Sequence, residues 1–202
     1  MIPIKEKPEP TDFLKKVGKP GAAFLQKVAH PTKWKNREYW QNALYDLYQA
    51  YAGICTYSAQ WIQFDAGAAT VDHFIPKSVA PQLAYEWRNY RFASRTTNIR
   101  NGDYRDVLDP FNLKPNSVIL DFPSLLIKPN PALSQSQKKK VIATIRRLKL
   151  NDDDTCVQAR QHWVEAFCTG CPFDFLKRHA PFIAYELQRQ NLLETIALIM
   201  KV

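Results

Sequence analysis

The sequence predicts a mostly helical α+β protein, with one small strand-bearing core between an N-terminal helix and a helical C-terminal region. Three observations carry that reading. Apolar residues recur at helical spacing before residue 52 and again after residue 134. Between those stretches, β-branched and aromatic residues gather in short runs punctuated by Pro and Gly. The chain is 202 residues long, enough for one domain, or one core with a helical appendage.

Residues 1–35 are rich in Lys and Pro and read as a basic arm with a short helix near Ala22 to Ala29. Asn36 can cap a helix from about Arg37 to Ala52. Its apolar positions are Tyr39, Trp40, Ala43, Leu44, Leu47, Tyr48 and Tyr51, and Gly53 suits its stop. Strand-like pieces follow at Gly53 to Ser58 and Thr70 to Ile75. Tyr90-Arg91-Phe92-Ala93 alternates as a half-buried strand should. Ser94 then opens a short helix through Arg100 that stops near Asn101-Gly102. Residues 104–131 hold five prolines and two short strands, around Val118-Ile119-Leu120 and Leu125-Leu126-Ile127. This sets a core at 36–131 and a helical region at 132–202.

In that last region Ser134-Gln135-Ser136-Gln137 can supply a capping box. Val141, Ile142, Ile145 and Leu148 form an apolar stripe. Asn151-Asp152-Asp153-Asp154 breaks the helix and starts another, with Val157, Trp163, Val164 and Phe167 inward. Pro172 and Pro181 sit at helix starts, and a last helix runs to about Met200.

The net charge is +9, with basic residues concentrated in the first forty positions and at Lys138-Lys139-Lys140. A solvated surface explains part of this, and a polyanionic partner such as nucleic acid explains it better once a phosphate-cleaving set lies nearby. No apolar run reaches the ~20 residues of a membrane span. The first residues lack the apolar stretch and cleavage site of an export signal, so a cytoplasmic location is expected and no membrane partner. Of the four cysteines, Cys168 and Cys171 form a lone CxxC. With no second pair, these thiols read as bystanders rather than a zinc site.

The chemistry concentrates between Thr70 and Asp103. Asp72 precedes His73 directly, Asn89 lies sixteen residues after His73, and Asn98 nine further on. A carboxylate and an amide oxygen can hold a hard cation such as Mg²⁺ and leave positions for phosphate and water. A neutral imidazole can take a proton from water. Adjacent residues of a regular strand face opposite ways, so Asp72 and His73 can share a site only where the strand is bulged or ends.

These residues and their flanks, Asp72-His73-Phe74-Ile75-Pro76-Lys77-Ser78, Tyr85-Glu86-Trp87-Arg88-Asn89 and Asn98-Ile99-Arg100-Asn101-Gly102, resemble an HNH endonuclease of the ββα-metal fold. More distantly, the chain resembles HNH nucleases of bacterial defence loci such as Septu. The resemblance implies a His-Asn-Asn variant cleaving nucleic acid, with double-stranded DNA as the expected partner. His73 would be the general base. Asp72 and Asn98 would ligate one divalent metal, Mg²⁺ or Mn²⁺. Asn89 would brace the loop and orient His73. Arg88, Arg91, Arg95, Arg100 and Arg105 would contact phosphates.

Two departures from the family pattern stand out. The two CxxC pairs that hold a structural zinc in many relatives read here Cys55-Thr56-Tyr57-Ser58 and Ser94-Arg95-Thr96-Thr97. Hydroxyls do not replace thiolates at such a site, so no structural zinc is expected. The usual Lys near the helix end is Asn101. Two alternatives stay open at this level: a silent nucleic-acid- or partner-binding module of the same fold, and a nuclease active only with a partner such as a defence ATPase.

Overall fold

The computed structural model describes residues 1–64, 67–151 and 154–200. It is an α+β protein whose described residues form two small antiparallel sheets of two strands each. The chain divides into two compact units, one made of Lys5–Thr56 and Ile62–Arg105, the other of Met1–Ile4, Tyr57–Trp61 and Asp106–Val202. Residues 106–131, with their strands, thus belong with the C-terminal helices.

In the first unit, Leu14–Gly18 winds as a π-helix and continues into α1 (Lys19–Lys27). The helix begins earlier than the apolar pattern suggests, because Phe13 and Val17 are already buried and Pro20 fits its first turn. Gly21 lets α1 lie flat on an aromatic ring: a Cβ there would stand 2.1 Å from Cγ of Tyr85. The helix expected over 37–52 is shorter and two-part. Tyr39–Ala43 is a 3₁₀ segment that leads into α2 (Leu44–Ala50). Asn36 takes φ +62° instead of capping, and the Arg37 amide closes a turn onto the Trp34 carbonyl. Trp40, Ala43 and Leu47 point inward. Gly53, at φ +70°, donates to the Tyr48 carbonyl and stops α2 as expected.

The strand expected at Gly53 to Ser58 does not form. The left-handed turn at Gly53 and a second turn from Thr56 leave a single bridge at Ile54. Thr56 instead donates its amide and its hydroxyl to the Phe92 carbonyl. The next strands do form. β1 (Ala69–His73) pairs antiparallel with β2 (Tyr90–Ser94), with Asp72 opposite Arg91 and His73 opposite Tyr90. The alternation expected for β2 is absent, since Tyr90, Arg91, Phe92 and Ala93 are all buried beneath α2 and the helix that follows. That helix, α3 (Arg95–Asn101), starts on Ser94, whose hydroxyl accepts from the Thr97 amide, and stops at Gly102.

In the second unit, β3 (Val118–Asp121) pairs antiparallel with β4 (Leu126–Pro129), Leu120 opposite Ile127. α4 (Gln135–Arg147) carries the expected capping box from Ser134 and Gln137. Its buried stripe runs through Val141, Thr144 and Leu148, while Ile142 is exposed. Thr144 is tolerated inside because its hydroxyl bonds back to Lys140 and accepts from the Leu108 amide. Asp152 and Asp153 of the predicted break lie outside the described residues. α5 (Asp154–Cys168), α6 (Phe173–His179) and α7 (Pro181–Arg189) follow, with Pro172 and Pro181 at the starts of α6 and α7. The expected last helix is interrupted: α7 ends at Arg189, Asn191 takes φ +56°, and α8 spans Ile196–Met200. No helix among the described residues is long and apolar enough to cross a membrane.

Candidate functional site

β1 ends at His73, and there two neighbours that a regular strand would send to opposite faces line one cleft. The cleft holds about 70 Å³ and is lined by Asp72, His73, Lys77, Asn98 and Asp103 with Val71, Pro76 and Gly102. It lies wholly within the first unit. Asp72 is 2% exposed and His73 5%.

The His73 ring is fixed from several sides. Nε2 lies 2.9 Å from the Ala84 carbonyl oxygen, which only accepts, so Nε2 carries the proton. The Tyr90 hydroxyl donates to the same oxygen at 2.8 Å. Trp40 and Tyr90 meet the imidazole edge to face, at centroid distances of 4.9 and 5.2 Å. Nδ1 is therefore left with its lone pair, and the Lys77 ammonium donates to it at 3.4 Å. Burial, and then the Lys77 charge, push the His73 pKa down to about 3, against a smaller upward pull from the Ala84 carbonyl. His73 is neutral at physiological pH in this geometry.

Asn89 does not line the cleft. Its Oδ1 accepts from the Ile75 amide at 2.8 Å, and its Nδ2 donates to the carbonyls of Ile75 and Leu83. One side chain thus ties both ends of the loop from Phe74 to Ala84, and the loop in turn presents the Ala84 carbonyl to His73.

Asn98 projects from α3 back onto β1, where its Nδ2 donates to Thr70 Oγ1 and to the Val71 carbonyl. A carbonyl takes only a donor, so the amide orientation is decided and Oδ1 is the atom left for the cleft. One turn on, Asn101 is buried and donates from Nδ2 to Asp72 Oδ2 at 3.0 Å. Asp72 and Asn98 would offer a carboxylate and an amide oxygen, both hard, which fits Mg²⁺ or Mn²⁺. Among the described residues no three His, Cys, Asp or Glu side chains converge as a metal-binding group. Asp103 adds a second carboxylate to the lining of the same cleft.

The five arginines separate. Arg88, Arg95 and Arg105 are exposed and Arg100 is half-buried. Arg91 is 3% exposed. Its guanidinium lies over Phe74 and donates to the carbonyls of Arg88 and Tyr90, so it stiffens β2. The Ser94 and Thr97 hydroxyls lie 2.7 Å apart, and Ser94 caps α3.

Sequence reasoning gave no role to Lys77, which lines the cleft, or to Asn101, which holds the Asp72 carboxylate from behind it. Asn101 was readable only as a departure from a pattern, yet its spacing of three from Asn98 puts both amides on one helical face. Lys77 stands four residues after His73, just beyond Pro76, where no local pattern marks it. Burial lowers its pKa, and the charges of Asp72, Asp103 and Glu38 act the other way. Its ammonium also lies 4.7 Å from the Trp40 ring centroid. No protein-family model matches the chain, and no curated protein does.

Proposed function

We propose that this protein is a metal-dependent endonuclease that hydrolyses phosphodiester bonds of DNA, with β1, β2 and α3 as the ββα-metal core of an HNH nuclease. The reading is carried by one observation: Asp72, His73 and Asn98 line a single cleft, with His73 held in the tautomer that turns its Nδ1 lone pair to that cleft.

In this mechanism His73 Nδ1 takes a proton from a water as the water oxygen bonds to phosphorus. The bond from phosphorus to the 3′ oxygen breaks, and that oxygen leaves with a proton from solvent. The products are a 5′-phosphate and a 3′-hydroxyl, and His73 returns its proton to solvent. A divalent ion held by Asp72 and Asn98 would neutralise charge on the phosphate and the leaving oxygen. Asn101 holds the Asp72 carboxylate in register, and Asn89 is a positioning residue that acts through the Ala84 carbonyl. Arg88, Arg95, Arg100 and Arg105 supply backbone contacts to double-stranded DNA. The likeness to defence nucleases adds a bacterial antiviral role and an ATPase partner to the proposal, and copurification from the native host tests that part.

The decisive experiment incubates the protein with plasmid DNA and Mg²⁺ or Mn²⁺ beside a His73→Ala variant. Cutting is expected to fall about 10²–10⁴-fold in the variant. Equal cutting by the two would remove His73 as the base. Binding without cutting by the unaltered protein in either metal would favour the silent module.

A further inference from the structure

The lone pair that the mechanism needs is already occupied. Nδ1 of His73 has one acceptor site, and the Lys77 ammonium takes it at 3.4 Å. A water cannot hand its proton to Nδ1 while that contact lasts. Nor is Lys77 a distant neighbour: it lines the same cleft as Asp72 and Asn98.

We propose that Lys77 is a phosphate-displaced cap on the base, whose ammonium leaves His73 Nδ1 for a non-bridging oxygen of the phosphodiester entering the cleft. The scissile group itself would then expose the base that attacks it. This rests on the nuclease reading above. No covalent bond changes in the step, and the ammonium keeps its proton, exchanging a neutral acceptor for an anionic one. Both hydrogen bonds have a charged donor, but only the phosphate adds a full opposite charge to the attraction, so the exchange runs toward the phosphate. The lysine stem is flexible, and its three donors need no fixed approach angle. Trp40 supplies a platform, with its ring centroid 4.7 Å from the ammonium, so the charge can shift without passing into bulk water. At about 70 Å³ the cleft is small enough that a phosphate and the lysine head must meet in it.

The test reads the His73 ring directly. The full-length protein is labelled with ¹⁵N-histidine and titrated with a short duplex oligodeoxynucleotide in EDTA, with binding followed by fluorescence anisotropy. In the unaltered protein, bound duplex is expected to move the Nδ1 resonance to the value that Lys77→Met shows without DNA. In Lys77→Met, duplex is expected to leave it there. In cleavage assays with Mg²⁺, Lys77→Met is expected to lose about 10²-fold in kcat/KM, with Lys77→Arg recovering part of the loss through phosphate contact. A Nδ1 resonance unmoved by bound duplex, or identical in the unaltered protein and Lys77→Met, overturns the cap and leaves the nuclease reading intact if plasmid is still cut. A resonance that moves in a protein that never cuts supports the cap and removes the nuclease reading. Failure of duplex to bind overturns both.

Discussion

The two hairpins of this protein bury polar side chains to opposite ends. Beside β3–β4, Glu186 accepts from the Leu120 amide, and its carboxylate also receives Arg189 and Gln190. Arg160 donates to the carbonyls of Leu125 and Leu150. Every one of these contacts closes on the protein and holds a strand or a turn. Along β1–β2, His73 spends one ring nitrogen on the fold and turns the other to a cleft, and Asn98 does the same with the two ends of its amide. A buried polar residue is therefore a poor sign of a site. The informative sign is a side chain with one end committed to the backbone and the other facing a cavity.

That contrast can be broken by experiment. The largest separation is expected from pairing His73→Ala with Arg160→Ala. The first should lose cleavage by the factor given above and, although truncating its buried ring leaves a cavity, lose less stability than the second. The second should lose about 2–4 kcal/mol of stability, read from urea midpoints, because two buried carbonyls lose their donor. If His73→Ala proved the less stable of the two, the division between site and scaffold would fail.

Acid should sharpen it next. The His73 pKa is depressed in the fold to about 3, below the usual ~6.5 of an unfolded chain. Between those values the unfolded chain binds more protons, so stability is full above pH 6.5 and is lost as pH falls toward 3. In EDTA, His73→Gln should remove up to about 1.4 kcal/mol per pH unit from the slope across that window. Equal slopes would mean that the ring is not held neutral by burial.

The smallest expected effect is at the cap of α3. Ser94→Ala should cost about 1 kcal/mol in thermal unfolding. It should also loosen Asn98 and Asn101 together, seen as faster amide exchange across α3. A loss no greater than that of an exposed serine would show that the hairpin carries the helix without its cap.

Much of this was legible in the chain. Ser94, Gly102 and the Ser134–Gln137 box state their helix ends in local chemistry, and the structure forms them there. The β1–β2 and β3–β4 segments were readable from branched and aromatic runs. What failed was decided by tertiary context. Asn36 has the chemistry of a cap, but the turn onto Trp34 puts it in a left-handed conformation. Arg91 has the charge of a phosphate ligand, but its place between Phe74 and two carbonyls is invisible in a linear string. Lys77 could not be singled out because its partner is a particular nitrogen of His73, and no spacing rule names a tautomer.

The flat seat of α1 on Tyr85 has a reach beyond packing. Tyr85 follows the residue whose carbonyl chooses the imidazole tautomer, so a methyl group at position 21 would press on the segment that holds the His73 ring. Alanine favours helices over glycine, yet in a saturation library Gly21→Ala should score as a turnover defect. On the nuclease reading proposed above, the opening segment of the chain would thereby tune chemistry at a ring that lies far along the sequence.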